Sequence, residues 1–388
     1  MSDVVIPWSP RLQAYNPSTD AERPLRRGLA WDLLDATGLL ANEDVSVVDP
    51  LRATDPEIAR VHAAEYMDAV RRYSADPIYA TEVKALGFGF VPGMDTVATK
   101  GMHEAAADVC GAAMAGAQAV AAARGTRAFC PAPAGLHHAH AARASGFCVY
   151  NDCALAVREL LDLGVERVAY VDLDAHHGDG VQWIFYDDPR VLTVSVHEFA
   201  YGFFPGTGAL DERGVDAGLG TTLNIPLPPF AGDAPFLAAV DQVVVPAVQA
   251  YHPQILVVHL GVDVHHADPM AHLQVTLPAL ERTYATVVSL ADDVCEGRLL
   301  AIAGGGYNPT SLGRFWALQL GALAGVEVAD DLPESWRFAA QHALDTDPPL
   351  TVRDETEIQA DPANCERADQ QGLANVAEAR ELLNPTTR

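Results

Sequence analysis

Only two lysines, Lys84 and Lys100, occur in 388 residues, and acidic side chains outnumber basic ones 52 to 25. A formal charge of −27 repels phosphate backbones, which argues against a nucleic-acid partner. The six cysteines (Cys110, Cys130, Cys148, Cys153, Cys295, Cys365) include no C-x-x-C pair. A chain of this length builds a core without cross-links, so the thiols are read as reduced. The opening MSDVVIPWSP lacks a basic stretch followed by an apolar one, so no secretory leader is expected. The alanine-rich stretch 105–123 is weakly apolar and broken by Asp108 and Gln118; it reads as a buried helix rather than a membrane span. A globular cytoplasmic protein with no membrane partner is the expectation.

What is present is an alternation of apolar runs with helical patterns. Strands are expected at 127–132, 165–174, 190–197, 253–263 and 298–306, and helices near 103–124, 152–163, 234–251, 279–296 and 311–323. Runs that are apolar on both faces and separated by helices predict a central, mostly parallel sheet covered on both sides, a three-layer αβα domain. That domain is expected over 1–330. Residues 331–388 are acidic and carry DTDPPL, and are read as a peripheral, partly mobile segment with one or two helices. The stretch GFGFVPGMDTVATKG (87–101) has the Gly and Pro spacing of a long functional loop. There is no internal repeat.

In an open parallel sheet, ligands gather outside the carboxyl ends of the strands. Four strand ends load that rim. VAYV runs into Asp172, Asp174, His176, His177 and Asp179; ILVVHLG into Asp263, His265, His266 and Asp268; LLAIA into Gly304, Gly305, Gly306 and Tyr307; FCPA into Gly135, His137, His138 and His140. Residues two apart in an extended segment share a face, so Asp172, Asp174 and His176 point one way. Carboxylates with an imidazole suit a divalent cation of the zinc, iron or manganese kind. A metal needs only some of Asp172, Asp174, Asp179 and Asp263, which leaves others to orient His137 and His138. AGGGYNP lacks the lysine and spacing of a phosphate loop, so its glycines are read as presenting Tyr307, a phenol able to donate to an oxyanion.

Together GLHHAHAARASGFCVYND, DLDAHHGDG, FFPGTG, GVDVHHADPM and GGGYNP closely resemble the zinc-dependent histone deacetylase superfamily, on the arginase-like α/β fold. GMHEA and DPMAHL look most like its bacterial acetoin-utilisation branch, and the resemblance spans about residues 5–325. It implies that Asp174, His176 and Asp263 bind one catalytic Zn²⁺, with Fe²⁺ the alternative. His137 and His138 would be the tandem catalytic histidines, with Asp172 and Asp179 behind them, and Tyr307 would polarise the acetyl carbonyl. Gly146, Phe147 and Phe204 would form the slot for the acyl-lysine stem, Met270 a tunnel wall, and Asp95 the rim acid that holds substrate amides. Arg26 matches an arginine near an internal acetate channel. A structural potassium ion would use Asp172, Asp174, His176 and Ser195, and a second would involve Phe185, Asp188 and Val191.

The implied activity is deacylation of lysine side chains in proteins, and the branch suggests an acyl-CoA synthetase as target. An acetylated polyamine or other small amine is the alternative substrate, although Met270 offers no acid to a second ammonium. Two rival readings are weaker. A di-manganese ureohydrolase on the same fold needs a second acid on the later strand, where the chain reads Asp263, Val264, His265. A non-catalytic acyl-lysine binder conflicts with every catalytic position being filled. Departures are slight: Ala134 stands where the family often has another Gly, Ala303 likewise precedes the glycine run, and neither touches an expected ligand.

Overall fold

The computed structural model describes residues 3–18, 22–91, 95–131, 133–354 and 356–383. Its frame is one sheet of eight strands: β1 (Val4–Pro7), β2 (Val45–Val48), β3 (Arg127–Cys130), β4 (Val168–Asp172), β5 (Val191–Glu198), β6 (Thr222–Leu227), β7 (Ile255–Leu260) and β8 (Leu299–Ala303). They lie in the order β2-β1-β3-β8-β7-β4-β5-β6, and every registered pair is parallel. The fold class expected from the sequence is therefore the observed one.

Alternation along the strands separates two cores. In β8, Leu299, Ala301 and Ala303 face one cluster while Leu300 and Ile302 face the other; Val258 and Val257 of β7 divide in the same way. Helices 22–36, 277–295 and 312–324 cover the first face, and helices 64–75, 102–122 and 152–162 the second. Because both faces are covered, the inner strands read as unbroken apolar runs.

The expected helix at 234–251 forms with a fault. Asp233–Ala239 and Val245–Tyr251 are α-helical, but Val240–Val244 is a π-turn. Pro246 has no N–H to give and its ring crowds the preceding turn, which a wider turn relieves. Met102–Ala122 and Asp233–Tyr251 are long and apolar enough to cross a membrane by length and composition. The most apolar window of the first is 72% buried within the protein.

β1, β2 and β6 are additions to the strands expected. β1 and β2 are only four residues long, β2 lies at one edge with Val47 and Val48 exposed, and β6 carries Pro226. The second edge, β6, is covered by the last helix, Pro362–Glu381, whose Asn375 donates to the Pro226 carbonyl at 2.8 Å. Trp336, in helix Glu334–Leu344, is buried and donates its Nε1–H to the Leu29 carbonyl at 2.7 Å. Both C-terminal helices thus add side chains to the main core. In the 87–101 loop, residues 92–94 lie outside the described residues.

Candidate metal and catalytic site

The four strands that carry the polar tips, β3, β8, β7 and β4, are neighbours in the sheet. Their carboxyl ends therefore open onto one rim, where the sequence places its acids and imidazoles.

Asp174, His176 and Asp263 are buried and offer one donor atom each within 4.8 Å of one another. His176 Nδ1 lies 3.2 Å from Asp174 Oδ1 and 3.0 Å from Asp263 Oδ2. Backbone donors fix the acids: Asp174 accepts from His176 N at 2.9 Å and Gly305 N at 3.1 Å, and Asp263 from Ala175 N at 2.9 Å. Burial, reinforced by the charge of Asp174, pushes Asp263 up to about 6. Two crowded buried carboxylates with an imidazole between them are the donor set a small divalent cation would satisfy. A second buried trio, His137, Asp174 and His259, shares one of those acids.

Each tandem histidine has its own carboxylate. His137 Nδ1 is 2.9 Å from Asp172 Oδ2, and His138 Nδ1 is 2.7 Å from Asp179 Oδ1. An ionised carboxylate only accepts, so Nδ1 carries the proton and Nε2 presents a lone pair. The rings are 3.9 Å apart between centroids, and His137 Nε2 is 3.9 Å from Asp174 Oδ1. Burial, with the neighbouring His137, pulls His138 down to about 4. Burial alone would raise Asp172 and Asp179, but His137 and His259 hold the first, and His138 and His140 the second, below the ordinary carboxylate range.

A cleft of about 660 Å³ reaches these groups, lined among others by Arg26, His137, His138, Phe147 and Tyr307. Arg26 donates to the Gly306 carbonyl at 3.0 Å, and its guanidinium lies 5.5 Å from the Tyr307 ring. Gly146 and Phe147 turn through positive φ (54° and 65°), held by Asp95 Oδ2 on Gly146 N at 2.8 Å and Thr96 Oγ1 on Phe147 N at 2.9 Å. Phe204 packs edge-on to His138 at 4.8 Å. Met270 is 42% exposed and stands outside the cleft lining.

Ser195 is the register partner of Asp172 across β4 and β5, and its hydroxyl bonds His197 Nδ1 at 2.9 Å. Phe185, Asp188 and Val191 form a separate turn in which Asp188 N donates to Phe185 O and Val191 N to Asp188 O.

Two contributors, Phe203 and His259, escaped sequence reasoning, and the sequence places Asp268 on the rim without giving it a role. Phe203 stacks on His176 at 5.0 Å and 11°. Asp268 accepts from Tyr307 N at 2.6 Å and Met270 N at 2.9 Å, tying the tyrosine loop to the methionine. His259, a lone polar residue inside the apolar run of β7, sits 3.2 Å from Asp174 Oδ2; burial opposes its charge, but Asp172 and Asp174 raise it to about 9. That interruption of ILVVHLG was the available signal.

Residues 20–323 match the histone deacetylase domain family. The acetoin utilization protein AcuC of Staphylococcus xylosus is 38% identical over 314 residues, 80% of each chain. Its counterpart in Bacillus subtilis (strain 168) is 35% identical over 344 residues, 87% of this chain and 86% of its own. That of Staphylococcus aureus (strain MSSA476) is 39% identical over 284 residues, 73% and 72% of the two chains. The chain belongs to the histone deacetylase family, in its AcuC-like branch, and is an amide hydrolase, a deacetylase.

Proposed function

We propose that the protein removes acetyl groups from lysine side chains of proteins, in a metal-dependent hydrolysis within the cytoplasm. The observation that carries this reading is the meeting of a buried Asp–His–Asp trio with two imidazoles, each backed by its own carboxylate. Asp174, His176 and Asp263 would hold the metal, Zn²⁺ by family precedent. Bound there, it would act as a Lewis acid toward the amide carbonyl and lower the pKa of water.

The chain's own groups handle the protons. His138, neutral and with its Nε2 lone pair available, takes a proton from the attacking water. A histidine of the pair returns one to the leaving nitrogen as the C–N bond breaks. Asp172 and Asp179 keep both rings in the required tautomer. The Tyr307 hydroxyl donates to the carbonyl oxygen as it gains charge, a contact commonly worth about 3–4 kcal/mol. Gly146, Phe147 and Phe204 flank the acyl-lysine stem, Met270 forms an outer wall, Asp95 receives substrate amides, and Arg26 borders the route for acetate. Potassium ions beside Asp172–Ser195 and at the 185–191 turn would stiffen the strand ends. The catalytic unit is 1–330, and the AcuC-like branch favours an acyl-CoA synthetase as target.

The test is acetate release from acetyl-lysine peptides and from acetylated polyamines, with and without a chelator. Peptides are expected to turn over with the higher kcat/KM, and chelation to stop the reaction. A higher kcat/KM on polyamines would transfer the assignment to small amines. Tyr307→Phe is expected to keep KM and lose roughly 10²–10³-fold in kcat.

A further inference from the structure

His259 has a place in the fold that invites a chemical reason. It is the fifth residue of β7, fully buried, in register with Asp172 of β4 and Ile302 of β8. An imidazole there costs desolvation that an aliphatic side chain would not. The fold also makes room for it. A Cβ on Gly304 would stand 1.8 Å from its Cε1, and one on Gly135 only 2.3 Å away, so two glycines form its socket. Only glycine permits so close an approach of backbone to ring.

The ring has one polar anchor. Nε2 lies 3.2 Å from Asp174 Oδ2, whereas Nδ1 is buried without a hydrogen-bond partner among the described residues. Asp174 as a carboxylate accepts only, so Nε2 carries a proton. That oxygen also receives Gly305 N–H, and Oδ1 receives His176 N–H, so three donors fix the carboxylate. Of the three, His259 alone is a side chain; His176 Nδ1, 3.2 Å from Oδ1, belongs to the proposed ligand trio, so His259 is the contact outside that trio that a substitution removes.

We infer that His259 is a positioning residue for the metal centre: by donating Nε2–H to Asp174 it holds that carboxylate in its metal-binding orientation and so strengthens metal retention. This rests on the reading that Asp174 is a metal ligand. Groups that orient a ligand in this way commonly change metal affinity by about 10–100-fold.

The full chain, loaded with Zn²⁺, is compared with His259→Leu, His259→Asn and His259→Gln by competition with a chromogenic chelator. Thermal unfolding is followed with and without metal. His259→Leu removes the donor, and the shorter His259→Asn withdraws it from reach; both are expected to weaken Zn²⁺ binding about 10–100-fold. His259→Gln, whose amide reaches the Nε2 position, restores most of it. The upward shift in Tm on metal addition shrinks in the first two variants, which a merely structural role would not produce. Should His259→Leu fail to fold, His259→Asn carries the test. Folded variants that bind Zn²⁺ as tightly as wild type overturn the inference, as does a wild-type stoichiometry of two ions, which would make His259 a ligand itself. Asp263→Asn is the control: if it too leaves affinity unchanged, the metal-site reading fails, and not only the role of His259.

Discussion

Two neighbouring strands end in almost the same hexapeptide. After β4 the chain reads Asp174-Ala-His176-His177-Gly-Asp179, and after β7 Asp263-Val-His265-His266-Ala-Asp268. The leading aspartates meet in one trio, but the rest diverge. His176 stays in the trio, while His265 packs on Phe315 at 5.0 Å and on His266 at 4.3 Å. Asp179 serves two imidazoles; Asp268 accepts two backbone N–H groups.

The fifth residue accounts for much of this. A Cβ on Gly178 would stand 2.2 Å from Asp172 Oδ2, so only glycine lets the first loop fold over the Asp172–His137 bond into helix Asp179–Ile184. Ala267 carries a Cβ, and the second loop instead pairs with the segment at 275, His265 being bridged to Val275. The pattern is common to both loops, but backbone path decides which side chains reach the buried Asp–His–Asp trio.

The comparison can be broken at three points. At the third position, His176→Ala is expected to abolish tight metal binding and lower kcat/KM by more than about 10³-fold, because a ligand is lost. His265→Leu should keep metal content and most activity. Metal analysis with steady-state kinetics decides, and metal loss in the His265 variant would make the two loops equivalent.

At the sixth position, Asp179→Asn is expected to cost roughly 10²–10⁴-fold in kcat, by allowing His138 the wrong tautomer. Asp268→Asn, which loosens Tyr307 and Met270 together, should cost about tenfold, consistent with a displaced rather than missing donor, and raise KM. Equal losses in the two variants would remove the distinction between serving an imidazole and bracing a backbone.

The smallest contrast lies behind the first loop. His62 Nε2 accepts the Asn151 N–H at 2.9 Å, and Asn151 Nδ2 donates to the carbonyls of His137 and Ala139. Burial lowers His62 to about 4. In the unfolded chain it protonates near 6.5, so stability falls as pH drops from 6.5 toward 4, by up to roughly 3 kcal/mol. His62→Gln is expected to flatten the dependence of Tm on pH in that window. An unchanged slope would deny His62 that part.

Legibility in the sequence followed unbroken apolar runs rather than burial alone, since β6 is buried throughout but carries Asn224 and Pro226 and was missed. β4, β7 and β8 were evident because strands enclosed on both faces must be apolar throughout. β2 could not be seen, since an exposed edge of four residues bears no such pattern. Asp172, Asp174, Asp179, His137, His138 and His176 were readable as a group, since strand ends and spacing of two residues bring such side chains together. Phe203 was not, because its stacking on His176 depends on how a loop after β5 folds back.

The sequence by itself determined that a parallel sheet would form and that its carboxyl rim would carry acids and imidazoles, because periodicity and strand polarity are local properties. Which carboxylate pairs with which ring, and that β7 would deliver His259 to Asp174, only the tertiary structure decided. Those contacts between carboxylates and rings of different strand ends join residues 35 to 87 positions apart, and their geometry is set by sheet order and by where glycine lets backbone and ring approach.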